Sequence, residues 1–525
     1  MDLRELETKF KKNTFNNEDD IKLHFHSDII KPLLEELNPE MAGQYHSEDV
    51  LKAGGRTDAT FQNISFEFKK EGYFNKTSGI REAVYGRDYA DHGLHDYILS
   101  NAGISVNDKI DVIVKKILSG IGVGFDGKQF VFARFIPSTQ KKVPDTSKVK
   151  VEINEAVNIE FTYEVKDFSK GIKRLALLLK QTDKISLSKQ TLCAVINPKS
   201  DYVRDSILII YNSLGDNLDT TKDTFNNRVK TLYNEWNRVF GVMYGDDEDA
   251  TDFTEVSSKI RDMYGISDFF EIDSKRYLFS MQTFFNVFLK LLVYSFLAQL
   301  VDPMFTTQQE LTKDEINRLF DGNTDASCRL VNNFFESHFL EWFTFTANIN
   351  DPESSFDVKL INETLTVVNK FDLSTFVLRP ENVQDILQEV YMGLIPPEMR
   401  HLMGEYFSPD WIVEHALDMA GYSGEINKTL IDPTAGSGPF LTQAIKRIIN
   451  RKGGVLTKAD IVNITQNIVG FDINPISVVS AKANYILIMF SAFFDNCDEE
   501  FGDSVGVPVF IADSILAPVV YTEEN

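Results

Sequence analysis

One stretch constrains the fold of this chain more than any other. Thr429-Leu-Ile-Asp-Pro-Thr-Ala-Gly-Ser-Gly-Pro-Phe-Leu441 reads as a short apolar strand that runs into a glycine-rich turn and opens a helix over 440–449. Gly436 and Gly438 allow the backbone to approach a ligand closely, and Asp432 at the strand end can accept hydrogen bonds. The same grammar repeats twice. Ile468-Val-Gly-Phe-Asp-Ile-Asn-Pro475 is a strand ending in Asp472 before a helix over 476–487, and Val509-Phe-Ile-Ala-Asp-Ser514 is a strand ending in Asp513. Strands alternating with helices predict a parallel, doubly wound (Rossmann-like) sheet, with three carboxylates facing one crevice at the carboxyl ends of its strands. Asp472 stands 34 residues after Gly438, well beyond the ~20 of a dinucleotide fingerprint, which disfavours a nicotinamide dehydrogenase.

At these residues the chain resembles the DNA amino-methyltransferases, whose glycine-rich motif has the form D-P-A-C-G-S-G-x-F-L. Met403-Gly-Glu-Tyr-Phe-Ser-Pro-Asp-Trp411 is similar to the G-E-Y-Y-T-P segment that precedes that motif in the family. The resemblance implies S-adenosylmethionine as methyl donor and an adenine-N6 target extruded from double-stranded DNA. It places Tyr406, Ser408 and Pro409 beside the cofactor, Gly436 and Gly438 around its amino-acid end, Asp472 at the ribose and Asp513 at the adenine, with Asp432 among the cofactor-binding residues. Ordinary core packing is the competing reading for Tyr406 and Trp411. The family carries N-P-P-Y after the third acid, whereas the only Pro-Pro here, in Ile395-Pro-Pro-Glu398, lies upstream and the chain ends at Asn525. The expectation is therefore a front half of a methyltransferase domain over 396–525, with methyl transfer dependent on a catalytic loop outside the sequence.

A second constellation lies near the N-terminus. After a helical start with Ile21, Phe25, Ile29 and Leu33 on one face, the segment 50–69 reads as strand, turn, strand, with Gly54-Gly55 as the turn signal. Ile64, Phe66 and Phe68 alternate with Ser65, Glu67 and Lys69, so Glu67 and Lys69 share a face and Asp58 stands beside the turn. Two carboxylates, Asp58 and Glu67, can bind Mg²⁺ through hard oxygen ligands while Lys69 helps to orient an attacking water. This arrangement resembles the D…E-x-K core of a nuclease family shared by many restriction endonucleases; exposed charges on a two-faced strand are the rival reading. A further acid from the first helix is expected in such a core, with Glu18, Asp28 and Glu35 as candidates. Gly79-Ile-Arg-Glu-Ala-Val-Tyr85 resembles the helix that follows the core in type I restriction subunits, with Glu82 where Gln often stands. His92 and His95 read as surface residues. Further strands are expected at 111–116 and in a hairpin turning at Asp126-Gly127.

The 525 residues exceed the ~250–300 at which one core stops growing, so several domains are expected. The predicted fold is α/β and multidomain: an α/β nuclease-like domain over 1–166, a mainly helical connector over 167–395 with one strand-like LCAVIN, and the methyltransferase half. Residues 277–301 are apolar enough to span a bilayer, but Lys290 at their centre and Gln282, Asn286 and Gln299 mark a buried core helix instead. The acidic run 245–250 reads as a solvated loop. Cys193, Cys328 and Cys497 form no disulfide or zinc pattern and read as buried, and the charged N-terminus lacks the apolar core of a signal peptide, so the cytoplasm is expected. The net charge is −24, distributed as −4 over 1–170 and −20 over the rest, which leaves DNA binding to a local basic groove. Together the resemblances imply a single-chain restriction-modification (type IIG-like) or phage-defence enzyme with an endonuclease domain. Its partners would be double-stranded DNA, no membrane, and a specificity element or target-recognition domain outside the chain. The alternative is a catalytically inactive module that binds S-adenosylmethionine or DNA.

Overall fold

The computed structural model describes the chain except at 1, 38, 40–42, 44, 48–56, 88–91, 106, 138–147, 150–158, 181–183, 245–249, 268–270, 305–309, 321–329, 336–338, 347–354, 379–385, 398–399, 401–407, 498–503 and 516–525. Gly54-Gly55, Tyr406, Cys328 and nearly all of the acidic run lie outside the described residues. Two compact units form, 1–183 and 184–525, where three segments were expected. The first boundary moves past 166 because the Phe168–Lys180 helix packs back on its own sheet: Phe168 meets Phe10, Phe125 and Phe130 at 5.4–5.7 Å between ring centroids. The second vanishes because the helical middle and the C-terminal sheet share one core.

Unit 1 is a mixed sheet with helices on both faces. Its strands are β1 (Tyr45–Ser47), β2 (Ala59–Phe61), β3 (Ile64–Phe68), β4 (Ile121–Phe125), β5 (Gln129–Pro137), β6 (Lys148–Val149) and β7 (Ile159–Asp167), in the order β1-β2-β3-β4-β5-β7-β6. Only β3 and β4 pair in parallel. The Asp126-Gly127 hairpin forms as expected, with Gly127 at φ +82° and both oxygens of Asp126 accepting backbone N–H groups. The turn between β2 and β3 falls at Gln62-Asn63, Gln62 taking a left-handed φ of +52°. Phe66 and Phe68 pack on Phe25 at 6.0 and 5.1 Å, on one side of β3. Residues 111–116, expected as a strand, belong to the Ile110–Ser119 helix; Ile113, Val114 and Ile117 recur at helical spacing and turn toward a core containing Ile98, Phe135 and Phe161.

Unit 2 is built around the Ser274–Val301 helix, almost wholly buried against the Asp201–Leu218, Phe356–Asn369 and Pro475–Phe493 helices. This helix and Pro475–Asn496 are the two described helices apolar and long enough to cross a membrane, and both are mostly buried within the protein. Three of the polar residues that interrupt the longer helix have partners: Gln282 accepts the Trp236 indole N–H at 2.8 Å, while Asn286 donates through Nδ2 at 2.8 Å to Glu341, which also pairs with Lys290. Lys290 and Glu341 are both fully buried, so removing one partner strands a charge in the core. Lys290→Met is expected to lower stability by about 3–5 kcal/mol, read from chemical denaturation midpoints; an unchanged midpoint would show the pair to be replaceable by apolar packing.

LCAVIN is not a strand. Ser188 and Thr191 form a reciprocal capping box, and Lys189–Val195 is a helix. Before it, β8 (Ile185–Ser186) pairs with β9 (Phe371–Asp372). Cys193 and Cys497 are half-buried rather than buried. The C-terminal sheet is parallel, as expected, in the order β10 (Leu430–Asp432), β11 (Ile468–Asp472), β12 (Val509–Ile511). Right-handed crossovers that advance in one direction set their helices on one face. The described strands show no reversal of direction, and Ile431 and Phe510 remain exposed.

Candidate active sites

In unit 2 the strand register brings the sequence-predicted acids to one end of the sheet. Asp432 pairs with Gly470, Asp472 pairs with Ile511, and Asp513 follows Ile511 by two residues. The turn after β10 wraps over β11: Ala435 N–H donates to Phe471 O and Gly436 N–H to Asp472 Oδ2, both at 2.8 Å. Asp472 Oδ1 accepts Asn474 N–H at 2.8 Å, and Asn474 in turn caps the Pro475–Phe493 helix. Gly436 and Gly438 take φ of +55° and +84°, which only glycine adopts without strain. At Gly438 a Cβ would also stand 3.2 Å from Ala481, whereas at Gly436 it would meet open space.

The electrostatics leave room for a polar ligand. Burial, reinforced by the neighbouring Asp472 charge, raises the pKa of Asp432, and burial likewise raises that of Asp472 against its backbone hydrogen bonds. Asp432 Oδ1 accepts Thr434 N–H at 3.2 Å, but its buried Oδ2 has no partner among the described residues. An unsatisfied buried carboxylate oxygen beside an open glycine turn fits an ammonium-bearing ligand such as the amino-acid end of S-adenosylmethionine. Asp513 is half-buried and accepts the N–H of Ile515 at 2.9 Å, while Ser408 is half-buried and Pro409 exposed just ahead of the Asp410–Met419 helix. Two residues absent from the sequence reading complete the turn. Ser437 donates its hydroxyl to Gln388 at 3.3 Å and accepts Asn484 Nδ2 on its carbonyl at 3.0 Å.

In unit 1, Asp58, Glu67 and Lys69 come together at the end of β3. Asp58 Oδ2 accepts Phe68 N–H at 2.7 Å, and Lys69 Nζ lies 2.5 Å from Glu67 Oε1. Glu67 is 5% exposed, not the surface charge of the rival reading. Burial first, and the Asp58 carboxylate second, push its pKa up to about 8, against the Lys69 ion pair and a hydrogen bond from Tyr97. Burial works to lower the Lys69 pKa, but the charges of Glu67, Glu18 and Asp58 outweigh it and raise the value. Of the three helix acids considered, Glu18 reaches this cluster, accepting Lys70 N–H at 3.2 Å; Asp28 is engaged by His24, Asn13 and Lys9, and Glu35 sits 3.9 Å from Lys31.

Two carboxylates whose charges already repel one another suit a divalent cation, which would relieve both. Tyr97 lies 30 residues from Glu67 on the Leu94–Asn101 helix, and no local pattern marks it. Glu82 accepts the Tyr73 hydroxyl at 2.6 Å and pairs with Arg87. His92 and His95 are half-buried rather than surface residues, both bonded to Asp96, and the described residues contain no group of three or more metal-ligating side chains.

No curated protein matches the chain. Among solved structures it is similar to a chain of a DrdV–DNA complex determined by cryo-electron microscopy, at 12% identity and a TM-score of 0.36, over 98% of this chain and 40% of that one. It is also similar to a nuclease-deletion mutant of the Type ISP restriction-modification enzyme LlaGI in complex with a DNA substrate mimic, at 14% identity and a TM-score of 0.28, over 65% of this chain. The chain thus spans 40% and 22% of the lengths of these two proteins. Residues 382–519, which contain β10 to β12 and the glycine-rich turn, match the family described as N-6 DNA methylase.

Proposed function

We propose that the chain carries the S-adenosylmethionine site of an adenine-N6 DNA methyltransferase joined to a Mg²⁺-dependent endonuclease, in a cytoplasmic enzyme of the restriction-modification or phage-defence kind. The observation that carries the first half is the placement of Asp432 and Asp472 at the same end of two adjacent parallel strands, Asp432 in register with Gly470, with the Gly436 N–H bound to Asp472. S-adenosylmethionine supplies an electrophilic methyl group when bound. The chain's own residues would hold it: Asp472 would accept from the ribose hydroxyls, the free Asp432 oxygen and the glycine turn would receive the amino-acid end, and Ser408, Pro409 and Asp513 would flank the rest, together with Tyr406, which lies outside the described residues. The acceptor is the N6 amino group of an adenine turned out of the duplex. Sequence choice falls to a specificity element or a C-terminal recognition domain.

The nuclease half is supported by the convergence of Asp58, Glu67 and Lys69, with Glu18 beside them. The two carboxylates would hold Mg²⁺, and Lys69 would steer a water toward the phosphodiester. Calorimetric titration of the 525-residue chain with S-adenosylmethionine tests the first half, with one site per chain expected. Cleavage of unmethylated DNA in Mg²⁺ but not in EDTA tests the second. A protein that binds the cofactor yet neither cuts nor methylates DNA would be the binding module.

A further inference from the structure

The glycine-rich turn is clasped from outside the sheet. Ser437, 4% exposed, sits between the two left-handed glycines, and its only side-chain partner among the described residues is Gln388. Gln388 belongs to the Ile386–Leu394 helix, 49 residues earlier in the chain, and that helix is itself fixed. Its buried Leu387, Val390 and Leu394 pack inward, the Tyr264 hydroxyl donates to Leu394 O at 2.6 Å, and Glu389 pairs with Lys189. Asn484, from the Pro475–Phe493 helix, holds the Ser437 carbonyl. The turn that would receive a ligand's amino-acid end is thus fixed from one side by the sheet, through Asp472, and from the other by a helix of the middle segment.

We propose that Gln388 is a positioning residue for this turn, setting affinity for the amino-acid end of S-adenosylmethionine and not for its nucleoside; this rests on the methyltransferase reading. Loss of the Gln388 oxygen leaves the buried Ser437 hydroxyl unsatisfied, and the turn relaxes to repair it. The test is calorimetric titration of the full chain with S-adenosylmethionine and with 5′-methylthioadenosine, which keeps the adenine and ribose and lacks the amino-acid portion. Gln388→Ala is expected to weaken S-adenosylmethionine about two- to tenfold and to leave methylthioadenosine unchanged within about twofold. Ser437→Ala should behave alike, and the double variant should be no weaker than the weaker single one. Unchanged S-adenosylmethionine affinity in Gln388→Ala, equal weakening of both ligands, or additive losses would each overturn the assignment. If the unaltered chain binds neither ligand, the methyltransferase reading itself falls, an outcome distinct from these.

Discussion

On the proposed nuclease reading, Glu67→Gln is expected to reduce Mg²⁺-dependent DNA cutting by more than about 100-fold, because even an outer-shell change around a metal costs 10–100-fold and this one would alter a proposed direct ligand. The same variant should be more stable than the unaltered chain when metal is absent and the pH is high. Folding raises the Glu67 pKa from 4.5 to about 8, so between those values the folded state holds a proton that the unfolded state has lost. Stability contributed by the protonated group is complete below about pH 4.5 and is lost as pH rises through 8. Gln stays neutral throughout, and the gain at pH 9 is at most about 5 kcal/mol, the full linkage value of that shift. Denaturation midpoints with EDTA at pH 6 and pH 9 read this directly. Cutting at the original rate would end the nuclease assignment, whereas a variant less stable at pH 9 would mean that the Lys69 ion pair outweighs burial.

Asp472→Ala should weaken S-adenosylmethionine by at least about 100-fold, since two hydrogen bonds from ribose hydroxyls to a carboxylate contribute about 1.5–3 kcal/mol each. Part of that loss is indirect. Asp472 also accepts the N–H groups of Gly436 and Asn474, so its removal frees the turn and the helix start as well as the ribose. Asp472→Asn separates the two roles: one oxygen remains for a backbone N–H, but the charge is gone, and an intermediate affinity is expected. Titration of both variants beside their thermal midpoints gives the comparison. Binding by Asp472→Ala equal to that of the unaltered chain would remove Asp472 from the ribose site.

The parts of this protein that could be read before its structure are those whose cause lies within a few residues. Strand, turn and helix at 429–449 and 468–487 follow from apolar runs broken by glycine or by Asn474-Pro475, and Asp432, Gly436 and Asp472 meet because those elements form where the pattern puts them. The alternation in β3 likewise sets Glu67 apart from Phe66 and Phe68. The errors share a cause: 111–116 and LCAVIN are short apolar runs that fit either period, and the decision passed to a core contact in one case and to the Ser188 cap in the other. Burial was settled farther away still. Glu67 is pressed inward beside Tyr97, Lys290 meets Glu341 51 residues on, and Gln388 reaches Ser437 from a separate helix. The sequence by itself determined the local elements and the types of chemical group they carry. The tertiary structure alone decided which of those groups lose their water and which distant partner then satisfies them, because desolvation and long-range hydrogen bonds exist only once separate segments have packed together.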